Sequence, residues 1–296
     1  MSPRHIVSRA ADGEFAAPAG WAAGAAGFRR RTIVDESSGS VHTGFGVCEL
    51  ASGGSLPAHV HSFEQSMYMI EGSAIVDTGE GSFLLSAGDY GLVPVGVPHS
   101  WRNVGDTVAR WADMQAPLPR SAHGDDTFVV APVRQDDPIR PDIRDPRTLA
   151  FGHIAPENMD PGKQSQQMLA VSASMRTALL VYSGITVKMM VDSDLGARLS
   201  TMFMVQYEPA GVAGPHDHPL EETYLILEGA TDATFDGHKY RLEVGDAAWA
   251  GVGCVHSFAN AGDGPVRWLE TQAPQPPSRH SYRFARDWDY LQEKLT

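Results

Sequence analysis

GPHDHPLEETYLILEG, residues 214–229, decides how the rest of the chain is read. Its apolar run has strand character and is bounded by Gly and Pro turns. Alternate side chains of a strand share a face, so His216 and His218 point the same way. Glu222 follows four residues after His218. Imidazoles and a carboxylate aimed at one spot are what a divalent transition ion asks for. A polar turn that happens to hold two histidines is the plainer alternative for this segment alone.

The stretch occurs twice. HVHSFEQSMYMIEG (59–72) and HDHPLEETYLILEG (216–229) are related by an offset of 157. The same offset carries Gly88 and Asp89 onto Gly245 and Asp246, His99 onto His256, Asn103 onto Asn260, and RWADMQAPLP (110–119) onto RWLETQAPQP (267–276). It holds without a gap from about residue 33 to 119, which marks a duplicated domain. Each copy consists of short β runs closed by Gly, Pro or Asp, such as HKYRLEVGD. The expected fold class is all-β, two tandem small barrels or sandwiches. The expected division is an N-terminal arm (1–30), a first barrel (31–119), a connector (120–187), a second barrel (188–277) and a tail (278–296). The Pro- and Asp-rich first part of the connector reads as irregular chain over the surface, and PENMDPGKQSQQMLAVSASMRTALL (156–180) predicts a short helix. AAPAGWAAGAAG (16–27) has no period and reads as coil or a packed arm.

The totals narrow the function classes. A chain of 296 residues with 42% apolar content supports one large or two ordinary cores. A formal charge of −13 opposes nucleic acid and anionic membrane surfaces as partners and says little else; a small-molecule substrate is expected from the candidate site residues. Only Cys48 and Cys254 are present, so no disulfide framework is implied. With no secretion signal at the N-terminus and no run approaching the ~20 apolar residues of a membrane span, a soluble cytoplasmic protein is expected.

These residues resemble the cupin family, and specifically a bicupin. The first motif of that family appears as Gly211, His216, His218, Glu222 and Gly229. The second appears in full in copy one, as Gly88, Pro94, Gly96, His99 and Asn103. Copy two has Gly245, Gly253, His256 and Asn260, with Gly251 where proline is usual. The resemblance implies two jelly-roll barrels of six or more strands, each with a metal site inside its mouth, and a homodimer. His216, His218, Glu222 and His256 are the expected ligands of one divalent transition ion (Fe2+, Mn2+, Ni2+, Cu2+ or Zn2+). A curled sheet is expected to bring His256 opposite His218.

The copies differ at one ligand position. By strand parity Gln65, Met67 and Met69 share a face, as do Glu222, Tyr224 and Ile226, while Glu64 points away. His59, His61, His99 and Gln65 therefore form a second expected site whose oxygen is neutral, and Met67 and Met69 read as barrel filling. Tyr224, Met202, Met204, Trp249 and Phe258 lie on or beside the ligand strands, and those facing inward would form an apolar pocket. Glu222, Tyr224 and Gln272 are the catalytic candidates. Gln272 and Glu270 could act in acid–base or hydrogen-bonding roles, although the mirrored Gln115 and Asp113 suit a structural role equally. Cys254 reads as a small apolar turn residue rather than a reactive thiol. His5, His42, His123, His153, His238 and His280 have no partner spacing and read as ordinary histidines.

A metal-dependent dioxygenase of an enediol, diketone or aromatic substrate, acting at the second barrel, is the leading expectation. Non-oxidative metal catalysis is the alternative: a ureidoglycine aminohydrolase-like hydrolase, a decarboxylase or an isomerase. A third reading is a small-ligand-binding cupin without turnover.

Overall fold

The computed structural model describes residues 4–18, 24–163, 184–275 and 283–284. The first half carries strands β1 (His5–Ser8), β2 (Ala26–Val34), β3 (Gly44–His61), β4 (Glu64–Glu71), β5 (Ser73–Thr78), β6 (Gly81–Ser86), β7 (Asp89–Val93), β8 (His99–Arg102), β9 (Ala109–Ala116), β10 (Thr127–Val129) and β11 (Phe151–His153). The second carries β12 (Ile185–Val191), β13 (Thr201–Tyr207), β14 (Val212–Asp217), β15 (Glu221–Glu228), β16 (Ala230–Phe235), β17 (His238–Glu243), β18 (Ala247–Ala250), β19 (His256–Asn260), β20 (Val266–Ala273) and β21 (Arg283–Phe284). The expected all-β tandem architecture is present. No helix among the described residues is long and apolar enough to cross a membrane.

Barrel two closes from a sheet ordered β1-β18-β15-β20-β13-β12 facing one ordered β17-β16-β19-β14-β21. In barrel one the 18-residue β3 runs through both sheets, whereas the equivalent chain in barrel two breaks between β13 and β14. Glu208-Pro209-Ala210-Gly211 occupies that break, with Ala210 at φ 65. Proline cannot donate to a sheet ladder, so the strand divides there. Turn glycines do the shaping anticipated for them. Gly229 sits at φ +71, and a Cβ there would lie 2.6 Å from the Pro265 carbonyl oxygen.

Three apolar cores organise the molecule. One fills barrel one around Phe28, Met67, Met69, Trp101 and Trp111. Another fills barrel two around Phe203, Tyr224, Phe235, Phe258 and Trp268. The third lies between the barrels and joins Phe45, Met114, Met202, Met204, Trp249 and Leu269. Of the five residues expected around the metal, Met202, Met204 and Trp249 therefore face the other barrel. Both faces of these strands are buried, so apolar character alone could not identify the inward one.

The arm and connector take part in the barrels. β1 precedes barrel one but pairs with β18 of barrel two, and β11 precedes barrel two but pairs with β7 of barrel one. The first half thus lends β1 to barrel two, while β11, from the connector, adds to the barrel that precedes it. Two fully buried carboxylates also join the halves. Glu64 accepts from the Arg198 and Leu199 amides at 2.6 and 2.9 Å. Glu221, offset by 157, accepts from the Val41, His42 and Thr43 amides at 2.8, 3.2 and 3.1 Å, and from the Ser40 hydroxyl. The connector is also less irregular than expected: β10 adds to β3 alongside β11 on β7. Within the expected helix, residues 156–163 form 3-10 turns, and the remainder lies outside the described residues.

Candidate metal centres

In each barrel the H-x-H segment lies beside the strand that starts with the third histidine. His59 pairs in register with His99, and His216 with His256. The ladder partner of His256 is thus His216, which a bulge between Ala213 and His216 brings into register, while His218 lies just past the strand end. A further strand closes over each segment: β10 pairs with residues 59–61 and β21 with 216–217.

In barrel two, His218, Glu222 and His256 bring donor atoms within 4.8 Å of one another, all buried. His218 Nε2 lies 2.7 Å and His256 Nε2 3.4 Å from Glu222 Oε2. His216 stands beside them, its ring 4.3 Å from that of His256 and 6.3 Å from that of His218. Burial alone would lower the His218 pKa, but Glu222 outweighs it and raises the value. Burial would likewise raise Glu222, and the two histidines hold it well below the usual carboxylate range. The ion pair draws His218 toward the carboxylate. At His216 burial, and then the His256 charge, outweigh the pull of Glu222 and lower it to about 3.

Tyr224 and Gln272 both engage Glu222. The Tyr224 hydroxyl donates to Oε2 and the Gln272 amide donates to Oε1. Glu270 lies behind this group, accepting from Trp268 Nε1 at 2.9 Å. Burial, and then the charge of Glu222, push the Glu270 carboxyl well above the usual range, so it keeps its proton. Phe258 and Phe235 stack around Tyr224 and His256 as the floor.

Barrel one has the same geometry and different charges. His59, His61 and His99 have donor atoms within 4.8 Å of one another. Burial lowers all three, His61 to about 3. Gln65 donates its amide to Asp113 Oδ2 at 2.6 Å, leaving Oε1 buried without a hydrogen-bond partner among the described residues. His61 Nε2 and His99 Nε2 are buried and unpartnered in the same sense. Arg30, which sequence reading passed over, donates to the other oxygen of Asp113 at 2.8 Å. The position equivalent to Arg30 in barrel two is Val187. Within the run Arg29-Arg30-Arg31, nothing in the sequence singles out Arg30 for this role.

Both donor sets suit a divalent ion. Three neutral imidazoles with convergent nitrogens form a zinc- or copper-type set, and the added carboxylate of barrel two suits iron and manganese as well. Burial pushes the Cys254 thiol up to about 12, so it stays protonated when no cation lies beside it.

The cupin domain family matches the chain twice, over residues 46–114 and 203–271. A Streptomyces cyaneus protein named polyketide synthase CurC is 31% identical over 112 residues, spanning 36% of this chain and 71% of that protein. The chain belongs to the cupin family and is a bicupin. Among solved structures it is similar to the oxalate decarboxylase of Lactobacillus farciminis in a formate complex. That match has 18% identity and a TM-score of 0.63, over 97% of this chain and 90% of the other. A variant salicylate 1,2-dioxygenase from Pseudoaminobacter salicylatoxidans in complex with gentisate matches with 16% identity and a TM-score of 0.68, over 92% and 82%. At these identities the likeness is one of fold.

Proposed function

We propose that barrel two is the centre of a metal-dependent dioxygenase acting on a small enediol, 1,3-diketone or dihydroxyaromatic compound. His216, His218, His256 and Glu222 would hold the divalent ion, which when bound supplies Lewis-acid and redox chemistry toward O2. The observation that carries the reading is the ionised, immobilised Glu222 among three histidines. Tyr224 and Gln272 act as positioning residues, each fixing one carboxylate oxygen. The aromatic floor excludes water from one side, and Glu270 holds a proton beside the site. The similarity to a protein named for polyketide synthesis supports a β-keto or phenolic substrate, and the gentisate complex of a fold relative supports the same class.

The proton on Glu270 favours one second reading, a non-oxidative decarboxylase in which that carboxyl protonates an enolate product. Oxygen-electrode traces on iron-loaded protein with enediols, 1,3-diketones and aromatic diols separate the two. Uptake stoichiometric with substrate loss supports the dioxygenase. Product formation undiminished under argon refutes it and supports the decarboxylase.

A further inference from the structure

A third group of donors lies at the seam where β1 docks on barrel two, beside the turn that leads into His256, whose Nδ1 is 2.9 Å from the Cys254 carbonyl oxygen. His5, Asp236 and Cys254 place one donor atom each within 4.8 Å of one another. His5 Nε2 lies 2.9 Å from the Tyr240 hydroxyl, while Nδ1 is buried with no hydrogen-bond partner among the described residues. A metal-bound imidazole has this arrangement, with one nitrogen committed to an outer partner and the other presenting its lone pair. The Cys254 sulfur is buried, and beyond Asp236 beside it makes only a 4.0 Å contact to the Val255 carbonyl.

Asp236 occupies the tight turn between β16 and β17 at φ 47. Its carboxylate is fixed by Arg4, at 3.0 and 2.8 Å, and by the Val255 amide at 3.0 Å. Two carboxylate oxygens offer roughly four lone-pair positions, so Asp236 can serve Arg4 and a cation together. The His238 ring, 5.4 Å from that of His5, stands near enough to approach a fourth position.

We propose that His5, Asp236 and Cys254 form a binding site for a thiophilic divalent ion of the zinc class, which staples strand β1 to barrel two. Nitrogen, thiolate and carboxylate donors are a zinc set. On binding, the thiol proton passes to solvent and the sulfur becomes the third donor. The half-exposed His5 ring leaves a path of entry from solvent. A four-residue strand held on one side gains most from such a cross-link, because metal binding stabilises the docked state alone.

The test uses the full chain, stripped by chelator and titrated with Co2+. Thiolate-to-cobalt charge transfer in the near ultraviolet reports sulfur ligation, and neither histidine set contains sulfur. Cys48 and Cys254 are the only cysteines in the sequence, so two variants assign the band. The band is expected in the wild type and in Cys48→Ser, and absent in Cys254→Ser together with one bound equivalent. His5→Gln serves as a second variant that leaves the buried thiol untouched. It is expected to weaken the band-forming Co2+ by at least about tenfold. No band at saturating Co2+, a band that survives Cys254→Ser, or unchanged affinity in His5→Gln overturns the site.

Discussion

Exchanging the one divergent ligand position between the barrels tests the electrostatic asymmetry directly. In Glu222→Gln the carboxylate that accepts from Tyr224 and Gln272 becomes an amide. One of its two former acceptors is now a donor facing a donor, and His218 loses the charge that raises its pKa. Stripping one partner from a buried ion pair costs about 3–5 kcal/mol. At about 1.4 kcal/mol per decade, this corresponds to a fall of roughly two to three and a half orders of magnitude in ion affinity. Gln65→Glu places a carboxylate against Asp113, whose Oδ2 now accepts the Gln65 amide at 2.6 Å. One of the two must keep a proton, as Glu270 does beside Glu222, and a bound cation relieves the conflict. The metal-free variant is therefore expected to melt lower than wild type and to gain more from added ion. Isothermal titration with Fe2+ or Mn2+ under argon, with elemental analysis of equivalents per chain, measures both effects. Unchanged affinity in Glu222→Gln, or no gain in barrel one of Gln65→Glu, would refute the assignment of these charges.

Acid should destabilise the metal-free protein. His61 and His216 hold folded values of about 3, depressed mainly by burial, against ~6.5 when unfolded. The unfolded chain therefore binds more protons between those values, and stability falls as pH drops through that window. Each group costs roughly 2 kcal/mol at pH 5, and His59 and His99 act in the same direction. His218 opposes them, and so does Glu270, which holds a proton in the fold that the unfolded chain releases above the ordinary carboxylate range. Melting curves of stripped protein should fall from about pH 6.5 to 5, where the unfolded histidines take up protons, and a flat or rising profile there would contradict the burial argument. Glu221→Ala strands the Val41 and His42 amides, Ser40 and Thr43 retaining each other, and is expected to cost about 2–5 kcal/mol in denaturant unfolding. A loss below ~1 kcal/mol would mean that water replaces the carboxylate and the clasp holds nothing.

The duplication was legible because ligands and turn glycines are side-chain requirements that both copies keep. The strands added from the arm and connector were not. HIVS at β1 and FGH at β11 share no residue pattern, since they dock through backbone ladders that any short extended segment can make. The same holds for β10 and β21, which close over equivalent ligand segments with unrelated side chains. Strand parity correctly turned Met67, Met69 and Tyr224 inward, because Gln65 and Glu222 fixed the phase. It could not place Met202 and Met204, since a bicupin buries the outer face of the same strand against its twin. Glu64 and Glu221 were visible as a repeated pair, but their donors lie across the other barrel, where no local pattern points.

The two barrels hold similar charge in different places, and this decides which one has a use for a cation. In barrel one the carboxylate sits on Asp113, and Arg30 reaches across from β2 to neutralise it from within the chain. Nothing remains at Gln65 to compensate an incoming ion, and only neutral nitrogens face the site. In barrel two valine replaces that arginine, the acid behind the site keeps its proton, and the ionised carboxylate moves forward to Glu222. Its compensation comes from the protons of His218 and His256 and from the Tyr224 and Gln272 donors, with no arginine in reach among the described residues. A proton there and a divalent ion are competitors for the same oxygen and nitrogen. Barrel two is thus built around a replaceable charge, and barrel one around a permanent one. The Arg30–Asp113 pair, together with the missing carboxylate, is the reason the first barrel is expected to be the weaker metal site.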